Sequence, residues 1–408
     1  MHYKIKHRVN EGGGIIVTFA LLLFLILGFM GLALDLGHLY VVRTELQTAL
    51  DACALSAAKE LDKQPDALTR AINAGIAAGN VNRVDMQSTS WRGKTQIVAN
   101  EITFYDINHA GGATDATAKF VRCTHTQKDT AIPLVHMAGM LTGANAFAAT
   151  MNVGAFAEAT TTPAQSTCPL PLGIKPKAGA GKPDYGFVKG DWIKLLGKDA
   201  TNGEMGWYNL DGSTSASETV KEVNGYCGTR TGDTLGTPGV QGTVADDWNT
   251  RFGIYKNNNG PAASHPDFTG YVYTKPVGTN AGTWAAGRDA FNDFILKRKS
   301  FSNCAASVKL CEDATGLKLN QFQSVASAGA NGELQRYGTN RRLVIVPVID
   351  GANKVVDFAC MLLLQPIPSP FDDVYLEYRG NAASADSPCT ASGLPGGTAG
   401  PLVPVLVR

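Results

Sequence analysis

GGGIIVTFALLLFLILGFMGLAL, residues 12–34, contains no charged side chain, follows Lys4, Lys6 and Arg8, and passes directly into DLGHLYVVRTELQTALDACALSAAKELD, residues 35–62. About 23 residues rising ~1.5 Å each span roughly 35 Å, enough to cross a hydrocarbon core of ~30 Å as one helix. Residues 12–36 therefore read as a single transmembrane helix that anchors the chain in membrane lipid. A cleaved secretory signal is the competing reading, but its apolar region covers only about 7 to 15 residues and is followed closely by a small-residue cleavage site. Ala52, Cys53 and Ala54 have the small-x-small spelling, yet they lie well beyond the run and inside a helical pattern.

Basic residues set the expected orientation, because cytoplasmic flanks near a span are enriched in Lys and Arg. Three precede the run, whereas only Arg43 lies close behind it, among Asp35, Glu45 and Asp51. Residues 1–11 are thus expected in the cytoplasm and the bulk of the chain on the far side.

The 36 basic and 35 acidic residues nearly cancel, leaving no electrostatic excess to hold nucleic acid. Apolar residues make up 44% of a 408-residue chain, so two folded modules with substantial cores are expected. Eight cysteines, at 53, 123, 168, 227, 304, 311, 360 and 389, show no metal-like spacing. An oxidising compartment and structural disulfides fit them, with Cys304 and Cys311 the most local candidate pair and free buried thiols the alternative, above all for Cys53 within a helix.

Past the run, Leu39, Val42, Leu46, Leu50, Cys53, Ala57 and Leu61 recur at helical spacing opposite Thr44, Thr48, Asp51, Lys59 and Asp62, which predicts a helix with one packing face. Pro65 ends it, and Leu68, Ile72 and Ile76 mark a second helix stopping near Gly79, which makes a helical arm. Strands are predicted over 95–105, 118–126 and 146–159, with a short helix over 132–141. The Thr- and Pro-containing stretch 160–166 marks a boundary. The second module, 163–381, is rich in Gly, Asn, Thr and Ser and reads as loop-rich and mainly β. Strands are predicted over 192–196, 206–210, 343–349, 355–364 and 374–378, and helices over 217–223, 245–252 and 288–298. Residues 382–408 read as a flexible tail apart from Cys389. The fold class expected is α+β.

Gly28-Phe-Met-Gly-Leu-Ala-Leu-Asp35-Leu-Gly37-His-Leu-Tyr40, continued by Arg43, Leu46-Gln47, Asp51 and Ala54-Leu55, closely resembles the amino-terminal motif of the TadE/TadG-like proteins of tight-adherence (Flp) pilus assembly. Gly232-Asp-Thr, Asn249-Thr-Arg251-Phe252 and Arg342 to Pro347 resemble short islands of its long-tailed, TadG-type branch. The resemblance implies a single-pass protein of the bacterial inner membrane with its carboxy-terminal bulk in the periplasm. It further implies a pseudopilin-like α+β module over residues 37–162 and partners among other pilus-assembly or pseudopilin-like proteins. Processed prepilins of the family carry Glu at the fifth position after a glycine cut. Cuts after Gly12, Gly13 or Gly14 would place Val17, Thr18 or Phe19 there, so this chain departs from the pattern and permanent anchoring is expected.

The interaction surface expected from these residues is Asp35, Gly37, Tyr40, Arg43, Gln47 and Asp51; the plainer alternative is that they stabilise one helix through pairs such as Arg43 with Gln47 and Asp51. Asp35 is either a marker of the outer interface or a partner for a basic group of a neighbouring subunit. Gly28, Gly31 and Gly37 leave room for close approach of another helix, which is compatible with oligomerisation. Asp211, Ser213 and Ser215 spell the Asp-x-Ser-x-Ser motif of metal-ion-dependent adhesion sites, the basis of a rival reading as a cation-dependent adhesin. The polar residues before it lack the buried strand such sites require, and turn formation is the plainer role. Cys123, His125 and His136 lack a second ligand pair for zinc. Gly179-Ala-Gly181-Lys182-Pro183 has proline where a phosphate loop needs Ser or Thr. With no Gly-x-Ser-x-Gly elbow or catalytic cluster either, no cofactor is expected and the chain reads as non-enzymatic.

Overall fold

One helix, α1 (Gly12–Lys59), takes up the whole opening stretch. It carries no proline, and it ends where Glu60 and Leu61 N–H turn back to Ala57 and Ala58 O (3.1 and 3.3 Å), tightening the last turn. The structure, a computed structural model, describes residues 12–141, 148–196, 200–238, 244–256, 260–273, 289–303, 324–329, 331–368, 374–391 and 393–407. The expected cytoplasmic segment 1–11 and the candidate pair Cys304 and Cys311 lie outside them. The chain divides into two compact units, residues 1–161 with 404–408, and residues 162–403.

In the first unit the two halves of α1 have opposite surroundings. From Ile16 to Leu36 the large apolar side chains are exposed, whereas Val42, Leu46, Leu50, Cys53 and Ala57 are fully buried. Helix α2 (Ala67–Asn80) runs back along that buried stripe. Its innermost face differs from the expected one: Ala67, Ala71, Gly75 and Gly79 are buried, and Leu68, Ile72 and Ile76 flank them half-buried. Small residues bring the helix axes together. A Cβ on Gly79 would fall 2.6 Å from Ile97 Cδ1 and 3.2 Å from Ala49 O. The Asp115 carboxylate accepts the Asp66 and Leu68 N–H groups (3.2 and 2.8 Å), satisfying donors that the start of α2 leaves open.

Against α1 and α2 lies an antiparallel sheet whose strands β1 (Ile102–Tyr105), β2 (Phe120–Ala131), β3 (Thr150–Pro163) and β12 (Leu402–Leu406) stand in the order β1-β2-β3-β12. Along β2, Val121, Cys123, His125 and Gln127 are buried, the period-two pattern of a sheet with one covered face. The strand expected over 95–105 shortens to its last four residues, because the Glu101 carboxylate accepts Val98 N–H (3.1 Å) and bends the chain into a 3-10 turn. Helix α3 (Pro133–Leu141) connects β2 to β3. Cys53 and Cys123 form a disulfide from α1 to β2 across 70 residues, so Cys53 is not a free thiol.

The second unit is built on a closed barrel of β4 (Leu172–Ile174), β5 (Trp192–Leu195), β6 (Met205–Trp207), β9 (Leu343–Ile349), β10 (Val355–Leu363) and β11 (Val374–Asn381). The closure order is β10-β11-β5-β6-β4-β9. Parallel pairings β4 with β9 and β5 with β6 complete a circuit that the antiparallel hairpins begin. Gly173 is required in β4, since a Cβ there would meet the Tyr208 ring at 2.6 Å and Ile349 Cδ1 at 2.7 Å. Around the barrel stand α4 (Ala216–Gly225), α5 (Val244–Thr250), α6 (Pro261–Ser264) and α7 (Phe291–Lys299), with a two-stranded ladder of β7 (Ile254–Tyr255) and β8 (Ser324–Val325). Disulfides join Cys168 to Cys227 and Cys360 to Cys389.

A buried arginine joins these excursions to the barrel. Arg342 is fully buried, lies 4.4 Å from the centroid of the Phe252 ring, and donates to Leu363 O (Nε 3.0 Å, Nη2 2.8 Å) and Tyr271 O (2.7 Å). Burial lowers its pKa to about 10. Asp267 accepts the Arg341 and Arg342 N–H groups and pairs with Arg298. The islands quoted above thus converge on the β9–β10 hairpin: Arg342 covers Phe252, and Gly232 and Asp233 exchange backbone hydrogen bonds with Val355 (both 2.8 Å).

Residues 382–407 depart from the expected flexible tail. Cys389 ties them to β10, and β12 joins the first unit's sheet, where Val407 N–H donates to Glu158 O (2.8 Å). Valine and leucine in β12 supply strand character that the glycine and proline before them obscure.

Removing the Cys53–Cys123 bridge in a double serine variant is expected to cost about 2–5 kcal/mol, read as a lowered thermal unfolding midpoint in detergent; an unchanged midpoint would contradict a structural role. Arg342→Met strands several buried carbonyls and is expected to lose about 3–5 kcal/mol, measured by denaturant unfolding followed through tryptophan fluorescence.

Candidate partner-binding surface

Leu36, Tyr40, Arg43 and Gln47 follow one another at spacings of three and four residues, which places them on one face of α1. Tyr40 is 73% exposed, and Arg43 is exposed with no hydrogen bond or ion pair among the described residues. A Cβ on Gly37 would meet nothing within 4 Å. A neighbouring flank of the same helix is already covered by its own chain, where His38 Nε2 meets Asp85 Oδ1 (2.9 Å) and the Glu45 carboxylate accepts from Gln87.

Gln47 and Asp51 are used internally. Gln47 Nε2 donates to Asp51 Oδ1 (2.8 Å) and to Phe156 O on β3 (3.0 Å). The expected pairing of Arg43 with Gln47 and Asp51 becomes a Gln47–Asp51 pair, because the amide of Gln47 can also satisfy the backbone of β3 and Arg43 has no comparable acceptor. Asp35, expected at the outer interface or paired with a neighbouring subunit, has a partner in its own chain: it is 4% exposed, and its Oδ2 accepts Val135 N–H (2.7 Å) at the start of α3. That helix has Ile132 and Pro133 where a local capping side chain would stand, so the carboxylate of a distant helix fills the role.

Between the open face of α1 and β3 runs a shallow groove. One part is lined by Leu36, Tyr40 and Arg43 against Asn152 and Gly154, and the next by Arg43 and Gln47 against Thr126 and Phe156. Phe156 O and Glu158 O both point away from β2, towards Gln47 and Val407 respectively. Strand periodicity then turns the Gly154 N–H and C=O outward as well. β12 meets this edge at Glu158, and among the described residues no strand continues it along 150–156. The groove therefore combines the outward ladder groups of Gly154, a phenol, an apolar shoulder and a guanidinium, components that suit an extended peptide bearing a carboxylate.

Residues 13–60 match the model of the putative Flp pilus-assembly TadE/G-like family. This TadE/G-like match begins and ends within a residue of α1 and so contains Asp35, Tyr40, Arg43, Gln47 and Asp51. No curated protein and no solved structure matches the chain.

The remaining candidates occupy ordinary structural positions. Asp211 Oδ1 accepts Ser213 N–H (2.8 Å) and Ser213 Oγ accepts Ser215 N–H (2.9 Å), successive turns that lead into α4. Cys123 is in its disulfide and His125 Nδ1 meets the Glu101 carboxylate (2.9 Å). Among the described residues no group of three His, Cys, Asp or Glu side chains converges to hold a metal ion.

Asp35→Leu is expected to release the start of α3, raising hydrogen exchange over residues 132–137 by the loss of about 1 kcal/mol of capping, while Asp35→Asn retains an acceptor and much of the protection. Equal exchange in both variants and the wild type would refute the capping role.

Proposed function

We propose that this chain is a non-enzymatic, membrane-anchored structural component of Flp-type pilus assembly. The observation that carries the reading is the coincidence of the TadE/G-like match with α1, a helix long and apolar enough to cross a membrane. Taking large apolar side chains out of water is worth roughly 1.5–3 kcal/mol each. The fifteen exposed from Ile16 to Leu36 favour lipid by more than a typical domain's whole stability of about 5–15 kcal/mol.

Lys4, Lys6 and Arg8 before the run support a cytoplasmic amino terminus in the inner membrane. Three disulfides among the described residues, all beyond the run, support a periplasmic setting for both units. A long helix whose outer half packs on an antiparallel sheet also supports a pseudopilin-like reading of the first unit.

The groove between α1 and β3 is the contact site in this proposal, and its occupant is an extended segment of another pilus-assembly component. That segment adds to the edge of β3 at Gly154 and sets a carboxylate opposite Arg43. Tyr40 and Leu36 cover its apolar side chains.

Tyr40→Ala combined with Arg43→Glu alters only exposed side chains, so expression and thermal midpoint are expected to stay at the wild-type level while co-purification of other pilus components from detergent, and pilus output, decline. Undiminished output at normal protein level would refute the site. A wild-type protein that leaves the membrane fraction on alkaline carbonate extraction would refute the anchor.

A further inference from the structure

Helix α3 begins beside α1 at Gly31 and Asp35. Leu134 packs on Gly31 so closely that a Cβ there would fall 3.1 Å from Leu134 Cβ, and one turn further along α1 Asp35 accepts Val135 N–H. Gly31 lies within the charge-free run, about 6 Å along the axis from Asp35 on the side of the span. Any membrane position that places residues 12–34 in hydrocarbon therefore brings the start of α3 to the boundary of that layer.

The composition of α3 suits this depth. Its sequence, PLVHMAGML, contains no Lys, Arg, Asp or Glu. Leu134 and Met137 are exposed, the latter 52%, as are Met30 and Leu34 on either side of Gly31 in α1. Apart from Leu134 N–H, its first turn is also satisfied without solvent. Pro133 has no N–H, Val135 N–H is held by Asp35, His136 N–H reaches Ile132 O (3.2 Å), and Ile132 N–H reaches Ala149 O (3.0 Å). Helix starts that face water can leave these donors to solvent.

We infer that α3 is an interfacial helix, lying in the acyl–headgroup boundary of the leaflet nearest the folded units, with Leu134 and Met137 against lipid. The inference rests on the proposed spanning role of α1. In it, Asp35 is a positioning residue that fixes α3 at the membrane surface, and Gly31 provides the space for α3 to lie flat against the span. The anchor is then a span with a lateral foot, which limits how the first unit can tilt.

Spin labels in the full-length protein, reconstituted into lipid nanodiscs, test this. Labels are placed through Leu25→Cys in the span, Met137→Cys on α3 and Thr48→Cys on the exposed flank of α1, and their accessibilities to oxygen and to a water-soluble nickel chelate are compared. The expected result is a shift of the Met137 label towards the oxygen-rich value of the Leu25 label and away from that of Thr48. A Met137 label as open to nickel as Thr48, with Leu25 still in lipid, overturns the interfacial helix alone; a Leu25 label open to nickel overturns the spanning role itself. Gly31→Ile, which crowds Leu134, is expected to move the Met137 label towards water without moving Leu25, and no movement would overturn the role given to Gly31.

Discussion

The first unit depends on the stripe Val42, Leu46, Ala49, Leu50, Cys53 and Ala57, which is fully buried on a helix whose preceding turns are bare. Much of the unit is held at or beside this stripe: α2 through Gly75 and Gly79, β2 through the Cys53–Cys123 bridge, and β3 through the neighbouring Gln47. Because α1 is one uninterrupted helix, the azimuth of its buried face also fixes where Tyr40 and Arg43 point. Helical geometry thus couples the direction of the anchor to the direction of the open groove, with no flexible joint between them.

The second unit relies on polar satisfaction where its strands are short. Three-residue strands such as β4 and β6 contribute few ladder bonds, and the excursions around the barrel are rich in loops. Arg342 and Asp267 serve several backbone groups at once, and Glu377, fully buried, accepts from Trp192 Nε1 (2.9 Å) and Phe291 N–H (3.2 Å) at the start of α7. Burial raises the Glu377 pKa against the opposing pull of the Trp192 and Ala290 donors and of Arg379. Such networks define a unique arrangement of loops that apolar contact alone would leave degenerate.

What the sequence revealed follows from length and pattern. The stripe on α1 repeats at helical spacing, while the charge-free run and the strands β9, β10 and β11 are continuous apolar segments long enough to be read, and the helix and strand limits there agree closely with the structure. Features made by distant partners were not legible. Gly75 and Gly79 look like weak helix formers until α1 is placed against them, and β4 and β6 are too short to show a period. Asp35 gave no sign of reaching a helix 100 residues away, although Ile132-Pro133 without a capping side chain was a signal that an acceptor had to come from elsewhere. Cysteine pairing was similarly closed to sequence, since only the fold brings Cys53 to Cys123.

The placement of β12 beside β3 has a topological consequence. Residues 404–408 belong to the same unit as residues 1–161, so the barrel unit is an insertion, entered from one strand of the first unit's sheet and left through its neighbour. Adjacent strands can equally be joined by a short hairpin, and the chain between them is in that sense a cassette. The barrel could thus be enlarged or exchanged while the strands that enter and leave it stayed side by side.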